Sequence, residues 1–180
     1  VKLCFRTSQP RAAGLLKALK GRGITKLLPV TLYPHDCKAT TGSSLRELEK
    51  EAKLQGLELL EGVRHYALDE DYLEAVAAPI REALKDLPYA TVIFSAHSLP
   101  VKQIAASGDP YEGEIKACVA ALKAKLGEHP GGAVLAYQSR VGPIKWLEPN
   151  LKTVLKDFGG RDVIVVPISF VSEHIETLHE

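Results

Sequence analysis

The sequence contains no methionine and only three cysteines, Cys4, Cys37 and Cys118, widely spaced and in no Cys-x-x-Cys pair. That pattern argues against a disulfide framework or a cysteine zinc site and fits reduced thiols in a cytoplasmic protein. An excess of charge is missing too, since 23 basic and 22 acidic residues leave a formal net charge of +1. With no basic stripe, a nucleic-acid backbone is excluded as the main partner. No apolar run approaches the roughly 20 residues of a membrane-spanning helix. Neither a GxGxxG turn nor the GxxxxGK phosphate loop occurs, so nucleotide binding has no motif behind it. There is no internal repeat and no low-complexity segment. The chain opens at Val1 and stops at Glu180 inside a predicted helix, and it is expected to be a piece of a longer protein.

What is present is enough for a packed α/β domain. Apolar residues make up 46% of the 180, ample for a core. The pattern predicts a helix over 9–22, a buried strand over 24–32, a helix of about ten residues opened by Thr40-Thr-Gly-Ser-Ser44, and a strand over 57–66. Asp69 should cap a helix running to Leu87, with Pro79 as a kink point. Strands over 90–96, 133–137 and 162–166 then alternate with helices over 110–126 and 147–158. That rhythm implies βαβ crossovers and Rossmann-like parallel sheets flanked by helices. Pro88 and the change of rhythm place a lobe boundary near residue 88, dividing 1–88 from 89–180.

Chemistry-bearing residues collect where the second-half strands end. The first strand runs into Ser95-Ala-His97-Ser-Leu-Pro100, the second into Tyr137-Gln-Ser-Arg140, and the third towards Ser172, a good helix N-cap. Beyond Ser172, Glu173, Glu176 and Glu180 fall at helical spacing on one face, flanked by His174. Side chains just past the carboxyl ends of parallel strands share one crevice, so His97 is expected to face His174 and Glu176. An imidazole titrates near neutrality and accepts a proton, and imidazole with carboxylate suits a borderline dication. A structural histidine and a solvated acidic helix end are the plain alternatives. Trp146 in its Gly/Pro loop and Tyr111 after Asp109-Pro110 suit either a flat ligand or core filling. Arg6 suits a ligand carboxylate or a surface ion pair. The hydroxyls of 40–44 suit an anion or local turn bonding.

Taken together, Ser95-Ala-His-Ser-Leu-Pro100, Gly108-Asp-Pro-Tyr111, Tyr137-Gln-Ser-Arg-Val-Gly-Pro143 with Trp146-Leu147, and Pro167-Ile-Ser-Phe-Val-Ser-Glu-His-Ile-Glu-Thr-Leu178 resemble the ferrochelatase family in order and spacing. Tyr33-Pro34 with Thr40-Thr-Gly-Ser-Ser44 matches an earlier family segment. The resemblance implies a two-lobe fold that inserts Fe²⁺ into protoporphyrin or coproporphyrin in haem synthesis. It implies His97, His174 and Glu176 as the catalytic set, and a metal path of His97, His174, Glu173, Glu176 and Glu180. It implies Arg6, Tyr111, Trp146 and Phe170 around the macrocycle.

The expected partners are porphyrin and ferrous iron, with no nucleic acid; peripheral membrane association and oligomeric state stay open. No cofactor is expected to be bound permanently. Some relatives hold an iron–sulfur cluster through a cysteine in the Tyr-Pro loop, but Lys38 stands at that position and Cys37 is one place off, so no cluster is expected. The segment alone is expected to be inactive. A chelatase for cobalt or another metal, and a noncatalytic tetrapyrrole-binding module, are the alternatives. The second would need neither a proton acceptor nor an acidic row.

Overall fold

In a computed structural model, described here for residues 1–172, the chain forms α1 (Ala12–Gly21), β1 (Lys26–Leu27), a π-helical turn (Lys38–Gly42), α2 (Ser43–Gln55), β2 (Glu58–Leu59) and α3 (Glu70–Asp86). It continues with β3 (Thr91–His97), α4 (Val101–Ser107), α5 (Tyr111–Leu126), β4 (Ala133–Gln138), α6 (Leu151–Asp157) and β5 (Val163–Pro167). It divides into two compact units, one of Val1–Thr31 with Asp36–Arg64 and one of Leu32–His35 with the residues from His65 onward. The change of rhythm near residue 88 falls inside the second unit. The reason is α3, whose buried face of Leu73, Ala77 and Ile80 belongs with α5 and β5.

The first unit is built on a minimal sheet. β1 and β2 are parallel, pairing Lys26 with Glu58 and Leu27 with Leu59, and Leu16, Ala52 and Leu57 form the core beside them. The expected buried strand over 24–32 is a correction. Only two of its residues pair regularly, and Leu28, Val30 and Leu32 are exposed. Pro29 has no N–H for a ladder, and its carbonyl accepts from the Val63 amide in a looser continuation. The strand expected over 57–66 shortens to β2 because it has only that partner.

The second unit carries a parallel three-stranded sheet in the order β4-β3-β5. β3 is central, and its register sets Val92 to His97 beside Ala133 to Gln138, and Thr91 to Ser95 beside Val163 to Pro167. A central parallel strand is covered on both faces, which explains its unbroken apolar run and its burial from Thr91 to Ala96. Ile93 and Ala136 pack with Leu151 and Val154 of α6. Val92 and Phe94 point the other way and are fully buried as well. α5 packs against β4, and α3 against β5 and α5.

Local chemistry starts and stops these elements. Asp69 Oδ1 accepts from the Asp71 and Tyr72 amides, and α3 then runs unbroken through Pro79. Replacing Asp69 with alanine is expected to destabilise the protein by about 1 kcal/mol, read as a lower urea midpoint with an unchanged slope. α6 starts at Asn150, whose side chain accepts from the Lys152 amide. It starts later than the expected 147 because the Leu147 amide donates to the Leu99 carbonyl and the Pro149 carbonyl accepts from the Tyr137 amide of β4. Gly131 must be glycine, since an added Cβ would lie 2.0 Å from the Ala90 carbonyl oxygen.

Candidate active site at the carboxyl end of the central strand

His97 is the last residue of β3, half-buried, at the carboxyl edge where the sheet hands over to loops. Its Nδ1 lies 2.7 Å from the Ser98 carbonyl oxygen. A carbonyl only accepts, so Nδ1 is the donor, and in the neutral tautomer that keeps this bond the lone pair sits on Nε2. The ring packs edge-on against Phe170, with centroids 6.4 Å apart and planes at 77°. Phe170 follows β5 and is itself half-buried.

Two further segments close on this strand end. The loop after β3 pairs with the loop before α6. Pro100 bridges Trp146, the Val101 amide donates to the Lys145 carbonyl, and the Leu147 amide donates to that of Leu99. Ser98, fully buried, donates through Oγ to the Leu147 carbonyl, and Arg140 Nη2 donates to the same oxygen at 3.1 Å. Trp146 is thereby held in the loop that abuts residues 98–101. Its Nε1 is buried with no hydrogen-bond partner among the described residues. Arg140 also pairs with Glu148 and holds that carboxyl below the usual range.

Under the edge lies a buried polar layer. Ser95 Oγ donates to Gln138 Oε1 at 2.8 Å, and both residues are buried. Tyr111, the first residue of α5, is only 6% exposed. Its hydroxyl donates to the His97 carbonyl at 2.9 Å and lies 2.9 Å from Ser169 Oγ. Ser169 Oγ accepts from the His97 amide at 3.1 Å. Beyond Tyr111, at 6.2 Å edge-on, sits the ring of His35, which is 2% exposed. Neither ring nitrogen of His35 has a partner among the described residues, and burial pushes its pKa down to about 4. Burial, with Glu112 nearby, pushes the buried Tyr137 phenol up to about 12.

The structure therefore brings His97, Phe170 and Tyr111 into direct contact, with Trp146 on the adjoining loop. Arg6 lies in the other compact unit, half-exposed, 3.7 Å from Glu47, which also pairs with Arg11 at 3.2 Å. Glu173, His174, Glu176 and Glu180 lie outside the described residues. Among the described residues no three His, Cys, Asp or Glu side chains gather closely enough to hold a metal ion. In the hydroxyl-rich 40–44 segment Ser43 Oγ donates to the Ala39 carbonyl at 2.6 Å and to that of Thr40, while Thr41 Oγ1 donates to the Arg64 carbonyl. Pattern reasoning missed Ser169 and His35 as parts of this layer. Ser169 sits inside a motif whose chemistry-bearing members are aromatic and acidic, and a serine just past a strand carries no signal of its own. A lone histidine after Tyr-Pro carries no signal of burial.

A family model described as Ferrochelatase matches residues 1–180. The chain is 42% identical over 186 residues to a ferrochelatase of Nostoc sp. (strain PCC 7120), covering 98% of this chain and 47% of that protein. It is 38% identical to the ferrochelatases of Synechococcus sp. (strain JA-3-3Ab) and of Synechocystis sp. (strain PCC 6803), each matching 100% of this chain and 55% and 49% of their own lengths. The chain spans about half the length of the curated relatives it matches.

Proposed function

The chain belongs to the ferrochelatase family, and on that premise we propose that its protein inserts ferrous iron into a porphyrin, the metal and the macrocycle both being substrates. The observation that carries this reading is the presentation of His97 at the end of β3 beside Phe170, with Nδ1 tied to a carbonyl. Insertion requires two pyrrole N–H protons to leave as the dication sheds its waters. A neutral imidazole whose lone pair is on Nε2 can take such a proton. The side chains of Phe170 and Trp146 are suited to the face and edge of a flat ring. Glu173, Glu176 and Glu180, with His174, are proposed to take over the metal's water ligands, because their helical spacing sets the carboxylates on one face.

We propose that no iron–sulfur cluster is held. Lys38, at the position where cluster-bearing relatives have a cysteine, supplies no thiolate, and Cys37 is buried. A cytoplasmic setting is supported by cysteines that form no disulfide. Among the described residues no helix is long and apolar enough to cross a membrane.

The test is anaerobic Fe²⁺ insertion by the full-length protein, run in parallel on protoporphyrin and coproporphyrin. Turnover of either supports the reading and identifies the substrate; inertness towards both defeats it. In the same assay Glu176→Gln is expected to raise the Fe²⁺ concentration for half-maximal rate at least tenfold, the scale on which removing a ligand or its supporting group acts. Porphyrin affinity should stay within about twofold on the same argument. Unaltered metal dependence would remove Glu176 from the metal path.

A further inference from the structure

We propose that Tyr111 and Ser169 are positioning residues for His97, their two hydroxyls closing a hydrogen-bonded ring on its main chain that aims the imidazole. The inference rests on the chelatase reading of His97 and goes beyond it, because neither hydroxyl touches the reacting atoms.

The argument begins with the ladder. The β3–β5 register ends at Ser95 opposite Pro167, with the Ile168 amide donating to the Ser95 carbonyl at 3.0 Å. Continued for two more pairs, a parallel ladder would set Ser169 opposite His97 and offer the Ile168 carbonyl to the His97 amide. That carbonyl accepts instead from the Tyr72 hydroxyl of α3 at 3.2 Å. The His97 amide meets Ser169 Oγ, and the His97 carbonyl meets the Tyr111 phenol.

Proton counting fixes the direction of every bond. The carbonyl only accepts, so the single phenolic proton of Tyr111 goes to His97. The 2.9 Å contact between the two hydroxyls is therefore donated by Ser169. The Ser169 oxygen in turn accepts from the His97 amide. The circuit runs from His97 N–H to Ser169, from Ser169 to Tyr111, and from Tyr111 back to His97 C=O, with each hydroxyl both donor and acceptor. Ser169 is 9% exposed and Tyr111 is 6% exposed, so water competes poorly for these bonds.

The ring explains how the last residue of a strand holds its side chain steady after the ladder on one side has ended. It also gives Tyr111 a part behind the imidazole, different from the macrocycle-lining one implied by resemblance. Displacing a reacting group by about 1 Å can reduce a rate some 100-fold. Loosening one residue's backbone should therefore act on kcat before binding.

The experiment uses the full-length protein and the variants Tyr111→Phe, Ser169→Ala, their combination, and Ser169→Thr. The kcat for Fe²⁺ insertion should fall about 10- to 100-fold in each single loss variant, with the porphyrin KM held within about threefold. The double variant should be no slower than Tyr111→Phe, because a circuit broken once has nothing more to lose. Ser169→Thr should recover most of the rate. In parallel, nuclear magnetic resonance should show the His97 amide proton moving upfield in Ser169→Ala, and the His97 carbonyl carbon shifting in Tyr111→Phe. Additive losses, a KM rise matching the kcat fall, or unmoved His97 resonances would each overturn the proposal. If the parent protein inserted no iron, the functional reading would fall, while the two resonances would still decide whether the ring exists.

Discussion

Replacing His97 with alanine is expected to slow metal insertion by about 10²- to 10⁴-fold, the range a positioned acid–base group supplies, while leaving porphyrin affinity nearly unaltered. The structure separates the two effects. The partners of the His97 main chain, the Tyr111 and Ser169 hydroxyls, engage its amide and carbonyl, which alanine retains. Truncation removes the imidazole, its Nδ1 bond to Ser98 and its edge contact with Phe170, but leaves the strand end in place. The side chain is only half-buried at the sheet edge, so no core cavity opens. The check is a rate measurement at saturating Fe²⁺ beside a fluorescence titration of porphyrin binding. Binding lost in step with rate would make His97 a scaffold residue. A full rate would remove it from proton transfer.

Acidification is expected to destabilise the protein through His35 by about 3 kcal/mol between pH 6.5 and pH 4. Burial lowers the pKa of this ring from 6.5 to about 4. In that window the unfolded chain binds the proton and the folded one does not. Stability is therefore full above pH 6.5, falls as the pH drops, and levels off once the folded ring is also protonated. The neighbouring Tyr111 ring offers an imidazolium no compensating charge, and neither ring nitrogen has a partner among the described residues. Carboxylates titrate nearby in pH, so the effect must be isolated by difference. Urea unfolding of the full-length protein and of His35→Phe at pH 7 and pH 4.5 provides it. Most of the acid-induced loss specific to the parent should vanish in the variant. Parallel losses in both proteins would show that His35 titrates normally in the folded state.

The two predictions sit differently with respect to the sequence. His97 was legible because Ser95-Ala-His97-Ser follows a β-branched run, and a parallel sheet gathers such strand ends. The burial of His35 was not, since nothing local distinguishes it from a loop histidine after Tyr33-Pro34. Only the packing of residues 32–35 into the second unit, with His35 against Tyr111, makes it a buried base. Tyr111 was likewise legible as a chemistry-bearing aromatic at a helix start, and its hydroxyl partners were not. They lie 14 and 58 residues away in the chain.

By itself the sequence determined the alternation of helices and strands from residue 69 onward apart from α4, the cap at Asp69, and membership of a family through several spaced motifs. Those properties arise from local periodicity, short-range hydrogen bonding and composition, which travel with the residues. Tertiary structure decided how much of 24–32 and 57–66 pairs as strand, where the compact units divide, and which hydroxyls reach the backbone of His97. Each of these depends on how many partners a segment finds across space. A strand exists only as far as its neighbour extends, and a buried donor is satisfied only by the acceptor that packing brings to it.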